Sequence, residues 1–79
     1  MDIEVRLFGA LRDRAPGDTV RVEVAEGATV ADVQRALARV LGTALVHDAA
    51  IANDEEVLGP EAAVRPGDRL AALPPVCGG

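Results

Sequence analysis

The chain has no lysine, no tryptophan and no tyrosine, and holds one cysteine, one phenylalanine, one histidine and one methionine among 79 residues. Each scarcity removes a class of function. A lone cysteine, Cys77, can close no internal disulfide and build no self-contained cysteine-based metal site. With Phe8 as the sole aromatic there is no platform on which nucleic-acid bases could stack. A formal net charge of −5 also works against nucleic acid and anionic membrane surfaces, and favours partners with basic patches. All eight basic residues are arginine, so the domain has no side-chain amine through which copies could be joined into chains. No apolar run is long enough to span a bilayer. The opening Met1-Asp2-Ile3-Glu4 lacks the basic and apolar regions of a signal peptide, so the expected location is the cytoplasm.

What is present is aliphatic. Val, Leu, Ile and Ala supply nearly all of the 49% hydrophobic share, enough for one small core and no second domain. Ile3, Val5 and Leu7 alternate with Glu4, Arg6 and Phe8, the period of a half-buried strand that leaves Phe8 exposed. One helical turn is expected at 10–14, within a loop ending at Pro16-Gly17-Asp18. Strand alternation resumes over 19–24, with Val20, Val22 and Val24 inward, and the first two strands pair as a hairpin. The clearest helix covers 30–41. Thr29 is its N-cap, Asp32 stands at the capping-box position, and Gly42 stops it. Its apolar face is Val30, Val33, Leu37, Val40 and Leu41, while Gln34, Arg35 and Arg39 face water. Short strands follow at 49–52 and 56–58 around a turn at Asn53-Asp54. Residues 60–65 read as irregular, and Pro66-Gly67-Asp68 turns the chain into a last strand at 69–73. The order is β-β-α-β-β, with a terminal strand running into the tail. One helix covering one face of a small mixed sheet is an α+β arrangement, the β-grasp or ubiquitin-like fold, here over residues 1–73 with an extended tail at 74–79.

That tail carries most of the chemistry. Leu73-Pro74-Pro75-Val76-Cys77-Gly78-Gly79 is uncharged, and its proline pair fixes φ and favours an extended arm. Gly78 and Gly79 have no Cβ and can enter a channel too narrow for side chains. The terminal carboxylate, with a pKa of about 3.3–3.7, is ionised at neutral pH and a poor electrophile. Its use as an acyl group therefore requires activation, for which an ATP-derived adenylate is the usual means.

The chain resembles the ubiquitin-like sulfur carriers, and within them the small subunit of molybdopterin synthase. The resemblance rests on Val5-Arg6-Leu7-Phe8-Gly9-Ala10-Leu11-Arg12-Asp13, on the Pro-Gly-Asp turn before the last strand, and above all on the Pro-Pro-Val-x-Gly-Gly ending. It implies that a ubiquitin-activating-like adenylyltransferase adenylates Gly79 with ATP and that a sulfur donor converts the adduct to a thiocarboxylate. The tail then enters the large synthase subunit and gives sulfur to a cyclic pyranopterin phosphate, building the dithiolene that binds molybdenum. By the same resemblance Phe8 and Arg12 contact partner enzymes, and Leu73, Pro74, Pro75, Val76 and Cys77 accompany the reactive Gly78-Gly79 into the partner. The chain itself binds no cofactor and no metal, and catalytic acids and bases belong to the partners. Leu73 replaces the usual Phe and Cys77 a small residue. These departures keep open a carrier for thiamine, cysteine or another sulfur-containing metabolite; a modifier joined to protein lysines shares the activation step and stays open as well.

Other residues read as plain surface. Leu70 and Leu73 are candidates to extend the apolar patch around Phe8. Cys77 is either a small residue tolerated in the channel or a thiol able to form a disulfide. His47 has neither a nucleophile nor metal ligands beside it in sequence, and Asp54-Glu55-Glu56 reads as a solvated turn.

Overall fold

The alternation at the N-terminus becomes strand β1, Asp2–Leu7, with Ile3, Val5 and Leu7 buried on one side. The computed structural model describes residues 1–15 and 17–74. One helical turn, α1 (Ala10–Asp13), follows and sinks Leu11 fully into the core. Strand β2 (Thr19–Glu23) returns antiparallel to β1, Ile3 opposite Val22 and Val5 opposite Val20.

Helix α2 (Val30–Leu41) has the bounds its punctuation predicts. The Thr29 amide donates to Asp32 Oδ2 at 2.9 Å and the Thr29 hydroxyl to the same oxygen at 3.2 Å, so a carboxylate satisfies an orphan donor at the helix start. This holds the Asp32 carboxyl below its usual range, the Thr29 amide being the main cause and the neighbouring Arg35 guanidinium a lesser one. Two further first-turn amides are met by the segment read as irregular: Val30 donates to the Ala62 carbonyl at 2.9 Å and Ala31 to that of Pro60 at 3.0 Å. Residues 60–65 therefore act as a backbone cap for α2.

Two helix positions depart from expectation. Val40 is 54% exposed. It shares its side of the helix with Val33 but sits two turns on, at the end of the helix, where more than half of it stays in solvent. Gln34 does not simply face water: its Nε2 donates to the Ala49 carbonyl at 3.2 Å and ties α2 to the chain beyond it. Between them lies a short helix the sequence did not announce, α3 (Thr43–His47), entered through Gly42 at φ +98°. Val46 of α3 is buried, and His47 is exposed.

The remaining strands are β3 (Ala50–Ala52), β4 (Val57–Leu58) and β5 (Arg69–Leu73). The Asn53 side chain makes the β3–β4 turn, accepting from the Glu55 and Glu56 amides at 2.8 Å each. Asp54, Glu55 and Glu56 stay in solvent. At the next turn Asp68 Oδ2 accepts from the Arg65 amide at 2.8 Å and Gly67 takes φ +87°. β5 then inserts parallel to β1, Val5 beside Leu70 and Leu7 beside Ala72, with β3 antiparallel on its other edge. The strand order is β2-β1-β5-β3-β4, and a crossover containing α2 joins the parallel pair. This mixed five-stranded sheet with its main helix on one face is the β-grasp. Among the described residues no polar or charged side chain is buried, and the core is aliphatic throughout.

Candidate functional site

The parallel pairing of β1 and β5 places the ends of both strands side by side. Leu7 is in register with Ala72, so Phe8-Gly9 continues beside Leu73-Pro74, where the tail begins. Gly9 leaves the strand at φ +57° and ψ −134°, a conformation open to glycine and strained for any residue with a Cβ. A Cβ placed there would lie 2.9 Å from Pro74 Cγ. The root of the tail is thus seated on the end of β1.

The sheet surface away from α2 is exposed and partly apolar. Arg6 pairs with Ala71, Ala71 with Ala52, and Ala52 with Val57, so their side chains share that side of the sheet, where Arg6 and Val57 are exposed, Ala71 is half-buried and Ala52 is buried. Phe8 follows on β1 at 41% exposure and Leu73 on β5 is half-buried. Arginines edge this strip. The Arg6 guanidinium carbon lies 6.0 Å from the centre of the Phe8 ring, at the outer limit of a cation–π contact. Arg21 and Arg69 flank Glu4 across the sheet. Phe8, Arg6, Ala52, Asp54 and Arg69 help line a shallow groove of about 450 Å³.

Of the residues singled out from sequence, Phe8, Leu73 and Pro74 come together around the tail root. Leu70 does not join them: it is 4% exposed and points into the core, because its register with Val5 puts it on the α2 side. Arg12 is exposed on α1, its amide donating to the Gly9 carbonyl at 3.1 Å, and makes no ion pair among the described residues. Pro75, Val76, Cys77, Gly78 and Gly79 lie outside the described residues. Sequence reasoning passed over Gly9 as a site residue. Its signal was there, a glycine directly after the lone aromatic, but its neighbour Pro74 is distant in sequence. Chemically, the described part offers an exposed, partly apolar surface and a tail root seated against the end of β1.

The sequence model of the ThiS family matches residues 5–79. A search of curated proteins gives no match. Among solved structures, SAMP1 from Haloferax volcanii is 30% identical, with 100% of both chains covered and a TM-score of 0.82. A chain in the Amycolatopsis orientalis BexX/CysO complex is 28% identical over 98% of this chain and 99% of that one, with a TM-score of 0.71. A chain in the complex of subunits 1 and 2 of the molybdopterin-converting factor from Helicobacter pylori is 25% identical, with full coverage of both and a TM-score of 0.68. The family model spans all but the first four residues and runs through residue 79, and the chain belongs to the ThiS family of ubiquitin-like sulfur carriers.

Proposed function

We propose that the chain carries sulfur as a thiocarboxylate on Gly79 and delivers it for dithiolene formation in molybdopterin. The observation that carries the reading is the family match, which runs through Gly78-Gly79 rather than ending with the sheet. The Pro-Pro-Val lead supports the molybdopterin assignment, as does similarity to a chain of the molybdopterin-converting factor complex.

In this reading a Gly79 carboxylate oxygen attacks the α-phosphorus of ATP within an activating enzyme, and pyrophosphate leaves. Sulfide from a donor then attacks the acyl carbon and AMP departs with the C–O electron pair, leaving a thiocarboxylate. Its sulfur is the nucleophile presented to the pterin precursor, and water restores the carboxylate when the acyl carbon is released. The chain's own residues bind and orient. Phe8, Leu73 and the arginine-edged strip dock the partner, with Arg12 beside them, while Pro74, Pro75, Val76 and Cys77 lead Gly78-Gly79 into the partner's site. The partners are an adenylyltransferase of the ubiquitin-activating kind, a sulfur donor and the large synthase subunit. ATP is the activating enzyme's substrate.

The test is intact mass after incubating the untagged chain with ATP, sulfide and its activating enzyme. An oxygen-to-sulfur exchange localised to Gly79, followed by dithiolene formation with the large subunit and the pterin precursor, is the expected result. No exchange with an enzyme shown to be competent would sink the reading. A second reading, a protein modifier, draws on full-length similarity to SAMP1, a small archaeal modifier protein. It predicts adducts on other proteins that survive reduction.

A further inference from the structure

We propose that Gly9 is a positioning residue for the tail: having no side chain, it lets the Pro74 ring seat against the end of β1 and so sets the direction in which the chain leaves the sheet. The consequence for activity rests on the carrier reading above, but the contact does not.

Among the described residues four glycines have positive φ: Gly9, Gly27, Gly42 and Gly67. At Gly27, Gly42 and Gly67 an added Cβ would meet no atom of the described residues within 4 Å. At Gly9 it would meet three atoms of one ring, Pro74 Cγ at 2.9 Å, Cδ at 3.7 Å and Cβ at 3.9 Å. Gly9 is therefore required by its backbone and by its neighbour.

Which side would yield to a Cβ follows from what holds each. The Gly9 side is anchored: its carbonyl accepts from the Arg12 amide at 3.1 Å and the Asp13 amide at 3.4 Å, and the Leu11 amide donates to the Phe8 carbonyl at 3.2 Å. Leu11 itself is fully buried. Pro74 has no amide proton to donate, and its ring cannot swing aside as a flexible side chain would, because the ring closes on the main chain. Leu73, as the residue before a proline, is confined to extended backbone. A clash at Gly9 is thus relieved by turning the main chain at Pro74, which re-aims everything after it.

A double-mutant cycle tests this with the full chain: Gly9→Ala, Pro74→Ala and the two combined. Gly42→Ala is the control, since Gly42 has φ +98° and ψ 140° but nothing beside it. The first readout involves no sulfur chemistry. A nitroxide on Cys77, the sole cysteine, broadens nearby amide signals and reports tail direction. Gly9→Ala is expected to shift the broadening pattern and Gly42→Ala to leave it. The combined variant should return toward the original pattern, because an Ala at 74 retains only the Cβ, at 3.9 Å. The second readout is ATP–pyrophosphate exchange by the activating enzyme. Misplacing the reactive end lowers kcat/KM by roughly 10- to 100-fold in Gly9→Ala. Gly42→Ala stays near the original rate, and adding Pro74→Ala restores about tenfold of the loss.

If backbone strain were the whole effect, Gly9→Ala and Gly42→Ala would act alike and Pro74→Ala would restore nothing, which overturns the proposal. Should Gly9→Ala fail to fold, recovery of folding in the combined variant supports the contact. Continued misfolding there, with Pro74→Ala folded, refutes it. A label pattern that follows the cycle while no variant is adenylated would fell the carrier reading and leave the contact standing.

Discussion

Replacing Phe8 with Ala separates docking from folding. Phe8 is 41% exposed, so about three-fifths of the residue is already covered within the domain. A fully buried Phe contributes about 1.5–3 kcal/mol, so truncation removes roughly 1–2 kcal/mol of stability. The Arg6 contact at 6.0 Å adds about 0.5 kcal/mol at such an exposed site. A domain of this size loses about 4–8 °C in Tm per kcal/mol, which leaves the variant folded at room temperature. The exposed remainder is what a partner can cover. Taking about 200 Å² for the side chain, 41% of it is about 80 Å², worth roughly 2 kcal/mol at 25 cal/mol per Å². Affinity for the activating enzyme or large subunit should therefore fall about 30-fold. Calorimetric titration at a temperature well below Tm measures it, with an amide fingerprint spectrum confirming the fold. An unchanged Kd in a natively folded variant would refute the assignment of this sheet surface to docking.

Other expectations follow from the core, the helix start and the tail. Leu37→Ala opens a cavity at a fully buried position and should cost about 3 kcal/mol, lowering Tm by roughly 12–24 °C; a shift of a few degrees would mean the core is not packed as described. The Asp32 carboxyl has a folded pKa below its unfolded one, so its stabilisation is fully present above the unfolded value and is lost as pH falls through the folded value. Asp32→Asn should accordingly flatten the acid limb of Tm against pH as the pH falls through and below the ordinary carboxylate range, and an unaltered limb would contradict the role given to Thr29. Removing Gly79 should abolish thiocarboxylate formation in the mass assay while leaving Tm unchanged; retained exchange would place the reactive group elsewhere.

How much could be read in advance depended on whether a feature is written in side-chain pattern or in space. α2 was legible to the residue because Thr29, Asp32 and Gly42 are local signals with local causes. β5 was legible in extent but not in facing: Leu70, Ala71, Ala72 and Leu73 are apolar on both sides, so period two is silent, and the register with β1 decides that Leu70 is core. α3, five residues long, is too short to display a helical period. The service of residues 60–65 to α2 uses carbonyl oxygens, which every residue has and no composition reveals. Gly9 belongs to the same class, since its requirement comes from Pro74 across a parallel pairing. Val40 shows the converse error, a periodic position that the core does not reach.

The central place of β5 has a consequence during synthesis. β1 is made before β5, yet on one edge its partner is β5, which follows many residues later. Until β5 emerges, β1 has an unpaired edge, β3 has no neighbour joining it to the sheet, and the apolar face beneath α2 stays incomplete. A nascent chain lacking this strand is an open-edged intermediate of the kind prone to aggregation and proteolysis. Folding thus serves as an inspection step: a molecule that passes it has the strand from which Pro74 departs. Partners that recognise the closed sheet would thereby be spared chains in which the carrying end had no base.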